Sequence, residues 1–321
     1  MEIFQNGLRN QQTITIKTFN NFIMTEKEAE DLCRMVRIGV DLSNKPKFRP
    51  KTREELKDLI GKLIKERGNE ADLNDIDVSG ITSMSELFAY TNFNGDISKW
   101  NVSRVKWMKD MFRSSKFNGN ISNWNVSKVE DMEGMFAYAN FNGDISKWNV
   151  SRVKDMNHLF AGSQFNDNIS NWNVSGVEDM RGLFYYSQFN GDISGWDVGG
   201  VKNMIGMFRN SQFNGDISSW NVSKVKWMNG MFEGSKFNGN ITNWNVSGVK
   251  NMSEMFENSQ FNNDISNWDV SGVWNMWCMF RNSQFNGDVS KWNVSKVGNM
   301  WGMFRDSKFN GDISKWANKP T

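Results

Sequence analysis

The sequence predicts an α/β fold: a right-handed, leucine-rich-repeat-like solenoid with a parallel β-sheet on one face, short helices on the other and a helical N-terminal cap. Three observations carry this. Ten tryptophans from Trp100 to Trp316 recur at a constant step of 24 residues, and ten phenylalanines from Phe93 to Phe309 keep the same step without insertion or deletion. Within each unit the apolar period changes from that of a strand to that of a helical stripe. A capping box opens an amphipathic segment just before the first unit.

The cap comes first along the chain, at residues 1–68. Thr25-Glu-Lys-Glu28 is one capping box, opening a helix that turns Ala29, Leu32, Cys33 and Val36 inward. Thr13–Ile16 alternates as a strand does, and Lys45–Pro50 reads as a linker. Thr52-Arg-Glu-Glu55 is the second box. Leu56, Leu59, Ile60, Leu63 and Ile64 then form one apolar face, and Gly68 supplies the stop. This helix is expected to lie as a lid over the open end of the hydrophobic column, as repeat proteins need.

Residues 69–321 form the repeat domain of about ten units, with a degenerate first unit around Asp72–Val78 and nine regular ones over 93–308. Ile97, Trp100 and Val102 fit a short strand, with Trp100 and Val102 on one face and Lys99, Asn101 and Ser103 on the other. Val105, Met108, Met111 and Phe112 fit one stripe of a short helix or helical turn. Phe93-Asn-Gly-Asp96 reads as a turn, because Asn and Gly tolerate positive φ. No unit can bury its own stripe, so the units must stack. Ten strands at ~4.8 Å would give a parallel sheet of roughly 45–50 Å.

Leu73-x-x-Ile76-x-Val78 and its nine successors resemble leucine-rich repeats. The half reading N-V-S-x-V-x-x-M-x-x-M-F-x-x-S resembles the BspA-type leucine-rich repeat surface proteins of mycoplasmas, gut bacteria, protists and some large viruses. The resemblance covers about 69–321, and Val105 and its equivalents stand where ordinary leucine-rich repeats carry a strand-end Asn, as in the BspA-type subclass. It implies a protein-interaction, adhesion or host-contact role on a cell surface or virus particle.

Composition narrows the function from the other side. A net charge of +2 makes no electrostatic case for nucleic acid or an anionic membrane. One His and two Cys exclude multi-His metal sites, multi-His catalysis and a disulfide framework. No run of 18 apolar residues exists to span a bilayer. The first residues lack the basic-then-apolar layout of a secretory signal, so export by that route is not expected.

His158 has no nucleophile motif near it, and Cys278 shares its column; both read as surface positions, and Cys33 as a small core residue. The Asp/Asn column from Asp96 to Asp312 invites comparison with calcium-loaded turns. Three of its ten positions are amides, and local Asx hydrogen bonds explain both residue types. Asn101, Asn125, Asn149, Asn173, Asn221, Asn245 and Asn293, with Asp197 and Asp269 between them, form a nearly uniform strand-face column. It is expected to be a structural ladder of stacked amides, with a low-specificity ligand face on a concave sheet as the other reading. Seven N-V-S sequons on strands ~4.8 Å apart would crowd any glycans.

Variation gathers on the other half. Trp107 and Trp227 replace aspartates such as Asp131, while Trp277 and Trp301 sit one coil apart, with Trp274 just before Trp277. These five, outside the inward stripe, are expected to be exposed and to form a partner contact, or else to be covered by the C-terminal tail or by the stems of Arg281 and Arg305. The chain ends mid-unit at Trp316–Thr321, so either the last coil meets another molecule, a second copy included, or those residues fold over it. No acid, base and nucleophile converge and no cofactor is implied. The sequence therefore predicts a non-catalytic protein-interaction, adhesion or structural scaffold. A carbohydrate- or calcium-binding module on the Asn/Ser face or the Asn-Gly-Asp turns is the alternative.

Overall fold

The structure, a computed structural model, describes residues 46–320. The expected strand at Thr13–Ile16, the helix from Thr25 and Cys33 lie outside the described residues. The chain divides into Met1–Lys45 and Pro46–Thr321, so the boundary expected at 68/69 falls instead at 45/46.

The reason is the cap helix, α1 (Arg53–Arg67). Thr52 caps it by accepting from the Glu55 N–H at 3.1 Å, and Glu55 answers by accepting from the Lys51 N–H at 2.7 Å. Gly68, at φ 88°, donates to the Ile64 carbonyl and ends it. The buried face of Leu56, Ile60 and Leu63 joins the same hydrophobic core as Leu73, Ile76 and Phe88 of the first coil. Arg53 and Arg67 fix the two ends, Arg53 on the Ser85 carbonyl and Arg67 bidentate on Asp75. Phe48, in the expected linker, also pairs in parallel with Ile76 and so belongs to this unit.

Successive 24-residue coils lie on one another. Among the described residues the repeats contain neither the strand expected at Ile97–Val102 nor the helix expected at Val105–Phe112. Parallel pairing recurs instead at one residue per coil, in the column Ser83, Trp107, Asp131, Asp155, Asp179, Asn203, Trp227, Asn251, Asn275 and Asn299, with one further bridge, Asp72 to Asp96, at the first coil. Beyond each bridge the chain makes consecutive tight turns. Met111, Arg113 and Ser115 donate back to Met108, Asp110 and Phe112, while Met108, Asp110, Phe112 and Ser114 donate to Asp131, Glu133, Met135 and Ala137 of the next coil. Alternate N–H groups therefore serve the turn and the stack, which satisfies the buried backbone without a helix.

Such turns need positive φ at two columns. Asp110 and Ser114 both have φ 51°, and the same columns hold Gly134, Gly182, Gly162 and Gly234. Glycine is free of the Cβ clash that makes this conformation costly. It also makes room. A Cβ on Gly182 would lie 2.5 Å from His158 Nε2, and one on Gly162 would lie 2.3 Å from a Tyr138 ring carbon. A side chain on one coil thus leans over a glycine on the next.

The tryptophan half is joined by side chains. All ten repeat indoles donate Nε1–H to a carbonyl 27 residues earlier, such as Trp124 to Ile97 at 3.2 Å and Trp316 to Val289 at 3.1 Å. Nine backbone N–H groups from Asn118 to Asn310 donate to the side-chain oxygen of the Asn 24 residues before, at 2.7–2.9 Å. Ring centres of successive coils are separated by 5.7 Å at Phe112–Phe136, 6.3 Å at Phe117–Phe141 and 6.4 Å at Trp100–Trp124.

Candidate interaction surface

The coils before the last bury the same Phe, Trp, Met, Val and Ile columns, whereas Phe304, Phe309 and Ile313 at the end are only partly buried, so any distinct chemistry must come from positions that vary outside them. Trp107, Trp227, Trp274 and Trp301 are exposed and Trp277 is half-buried. Trp107 and Trp227 occupy the bridge column itself, five coils apart. Trp277 and Trp301 are brought together, their rings stacked at 6.4 Å and 17°. Arg281 lies over Trp277 at 5.9 Å and Lys106 over Trp107 at 5.8 Å. The Arg281 guanidinium thus lies over Trp277, while Trp301 and Trp274 are exposed.

The tail closes on the last coil. Trp316 is buried, the Asn318 amide donates to the Val294 and Val297 carbonyls, and Pro320 lines a groove of about 350 Å³ with Trp301, Phe304 and Arg305.

The amide ladder is not where it was expected. Asn101, Asn125, Asn149, Asn173, Asn221, Asn245 and Asn293 are exposed, and each accepts from the N–H two residues later in its own coil. They cap local turns. The column that does connect coils begins at Asn94, because there the neighbouring coil presents a backbone N–H rather than a turn of its own. Asp96 and its equivalents are committed to Asx turns in the same way, Asp144 accepting from Ser146, whose hydrogen bonds hold that carboxyl below the usual range. No group of three or more His, Cys, Asp or Glu side chains among the described residues is placed to hold a metal ion.

His158 is half-buried, edge-on to Tyr185 at 6.1 Å, with Nδ1 against the Asn157 side chain. Burial, aided by Arg113 and Arg181, lowers its pKa. Cys278 is buried rather than on the surface, and burial raises its thiol pKa.

Sequence reasoning missed two features. The first is an ionic cluster across four coils: Arg209 pairs with Glu233 at 2.6 Å and with Glu254 at 3.5 Å, while Arg281 pairs with the buried Glu257. One oxygen of Glu233 and one of Glu257 are buried without a partner. Burial, reinforced by Glu254 and Glu257, pushes the Glu233 carboxyl up to about 8, outweighing Arg209. The second is a row of exposed tyrosines, Tyr90, Tyr138 and Tyr186, at one column of alternate coils. Reading down the 24-residue columns shows both.

The family described as "Mycoplasma protein of unknown function, DUF285" matches the chain three times, over residues 61–168, 159–260 and 234–321. No curated protein and no solved structure matches it. No described helix is long and apolar enough to cross a membrane.

Proposed function

The chain belongs to the mycoplasma family DUF285, and from that premise we propose that it is a non-catalytic repeat scaffold for protein–protein contact or adhesion, built as a BspA-type, leucine-rich-repeat-like solenoid. What supports the solenoid class is the unbroken 24-residue register of bridges, indole bonds and stacked rings. What supports the scaffold is the contrast between a uniform interior and varied aromatic side chains outside it. The stacked Trp277–Trp301 pair carries most weight, since large exposed apolar groups mark contact sites. A role on a cell surface or virus particle goes with this reading.

The test is a pair of full-length variants, Trp277→Ser and Trp301→Ser. Light scattering reads self-association, and co-precipitation reads partner capture. Loss of either supports the scaffold; unchanged mass together with unchanged capture removes it.

A further inference from the structure

We propose that Asn310–Gly311 is a self-modification site, at which the Asn310 amide is converted through a succinimide to aspartate and isoaspartate, while the fold protects the other Asn–Gly pairs of the same column.

The packing demands the labile dipeptide. Eight of the ten asparagines in the column from Asn94 to Asn310 are followed by glycine. Nothing larger fits there, because the phenylalanine two residues earlier folds its ring back: a Cβ on Gly119, Gly215 or Gly311 would lie 2.8–2.9 Å from the ring of Phe117, Phe213 or Phe309. Glycine, lacking a Cβ, also leaves its own nitrogen unhindered, so the dipeptide is prone to cyclise. In that step the Gly nitrogen loses its proton and attacks the Asn Cγ. The Cγ–Nδ2 bond breaks and ammonia leaves, the proton reaching it by way of water. A second water then opens the imide. Breaking the new Cγ–N bond gives aspartate, and breaking the original peptide bond gives isoaspartate. Overall the pair consumes one water and releases one ammonia.

What separates the pairs is the freedom of the asparagine to turn. Its Cγ has to swing onto the next residue's nitrogen, so the side-chain oxygen must first leave any partner it has. From Asn94 to Asn286 that oxygen accepts the N–H of the asparagine one coil on, as Asn94 does from Asn118 at 2.8 Å and Asn286 from Asn310 at 2.9 Å. Among the described residues nothing donates to the Asn310 side chain, although its own N–H is held by Asn286. Exposure points the same way. Gly311 is exposed, whereas Gly95 is buried and the glycines of this column from Gly119 to Gly287 are half-buried. Solvent base therefore reaches the Gly311 nitrogen most readily.

Two more Asn–Gly pairs lie off the column. Asn6–Gly7 falls outside the described residues. At Asn229–Gly230 the attacking nitrogen is already engaged, its N–H donating to the Ser253 carbonyl of the next coil at 2.8 Å. A proton held in that bond is harder to lose. The column thus has one unpinned member, the last, and the reaction puts a carboxylate there in place of a neutral amide.

The full-length protein is incubated in mildly alkaline buffer made with heavy-oxygen water. Peptide mass spectrometry follows each Asn–Gly pair, and chromatography separates aspartate from isoaspartate. Conversion at Asn310 is expected to run about fivefold or more faster than at the pinned pairs, the effect of releasing one hydrogen bond's worth of restraint. Both products should appear there with heavy oxygen incorporated. In denaturant, where every side chain is free to turn, the pairs of the column should convert at similar rates. Conversion at Asn310 no faster than at Asn118 or Asn214 in the folded chain overturns the proposal. So does an Asn310 lead that persists undiminished in denaturant, since the fold would then not be its cause, or aspartate as the sole product, since no imide would have formed.

Discussion

The indole Nε1–H of Trp196 donates to the carbonyl of Ile169, one coil earlier, at 3.1 Å in a buried setting. This bond explains why the column holds tryptophan rather than another large apolar residue. The segment makes no inter-coil backbone bonds, and the indole supplies the missing donor while filling the core. Trp196→Phe keeps much of the apolar bulk but leaves the Ile169 carbonyl with the Trp172 N–H as its one remaining donor, which should cost about 0.5–1.5 kcal/mol. Trp196→Ser loses the bulk as well and should cost more. Denaturant melts give the ordering; a Trp196→Phe variant as stable as the native chain would refute a role for the donor.

The Asn190 side chain accepts from the Asn214 N–H at 2.8 Å, whereas the Asn149 side chain accepts from Ser151 in its own coil. Both are exposed, so each alanine substitution should cost only about 0.5–1.5 kcal/mol. Their reach differs. Hydrogen exchange should quicken at Asn214, one coil away, in Asn190→Ala, and only near Ser151 in Asn149→Ala. The reverse pattern would restore the ladder to the Asn101 column.

How much of this was legible in the sequence depends on the direction of reading. Trp100 and Phe112 recur so regularly that the stacked core could be read directly, and Thr52 with Glu55 announced α1. Val105, Met108, Met111 and Phe112 misled because their spacing fits a helical stripe and a chain of tight turns equally well. The signal that separates the two runs across units: Gly134, Gly182, Gly206, Gly230 and Gly302 share the column of Asp110, where a regular helix has no call for glycine. Asn94 and Asn101 head equally uniform columns. Only the offset between coils, a tertiary property, decides which one meets a neighbour's N–H.

Gly182 has φ 56° and sits under the His158 imidazole. Gly182→Ala therefore meets both backbone strain and a ring, and should cost roughly 1–2 kcal/mol or more. His158→Gly removes the obstructing ring and relieves its own φ of 54°. Combining the two should recover part of the loss. A double-mutant cycle measures the coupling, and strict additivity would show that the ring and the glycine do not interact.

Glu233 makes the pH dependence of folding informative. Its neighbours are Arg209, Glu254, Glu257 and, through Glu257, Arg281. Three carboxyls share two guanidinium groups, so a proton on Glu233 balances the cluster. In the folded protein that proton stays on up to about pH 8, against an ordinary value of 4.5 once the chain unfolds. Between those limits the folded state binds more protons than the unfolded state, so raising the pH favours unfolding. This group's contribution is fully present below about pH 4.5 and is lost as the pH rises through about 8. Glu233→Gln, which keeps the shape and stays neutral, should flatten the fall in melting temperature between pH 5 and pH 9 and exceed the native chain in stability at the alkaline end. A native chain whose melting temperature rises over that interval through Glu233, or a variant with an unchanged slope, would mean the carboxyl is ionised in the folded core and that Arg209 prevails over burial.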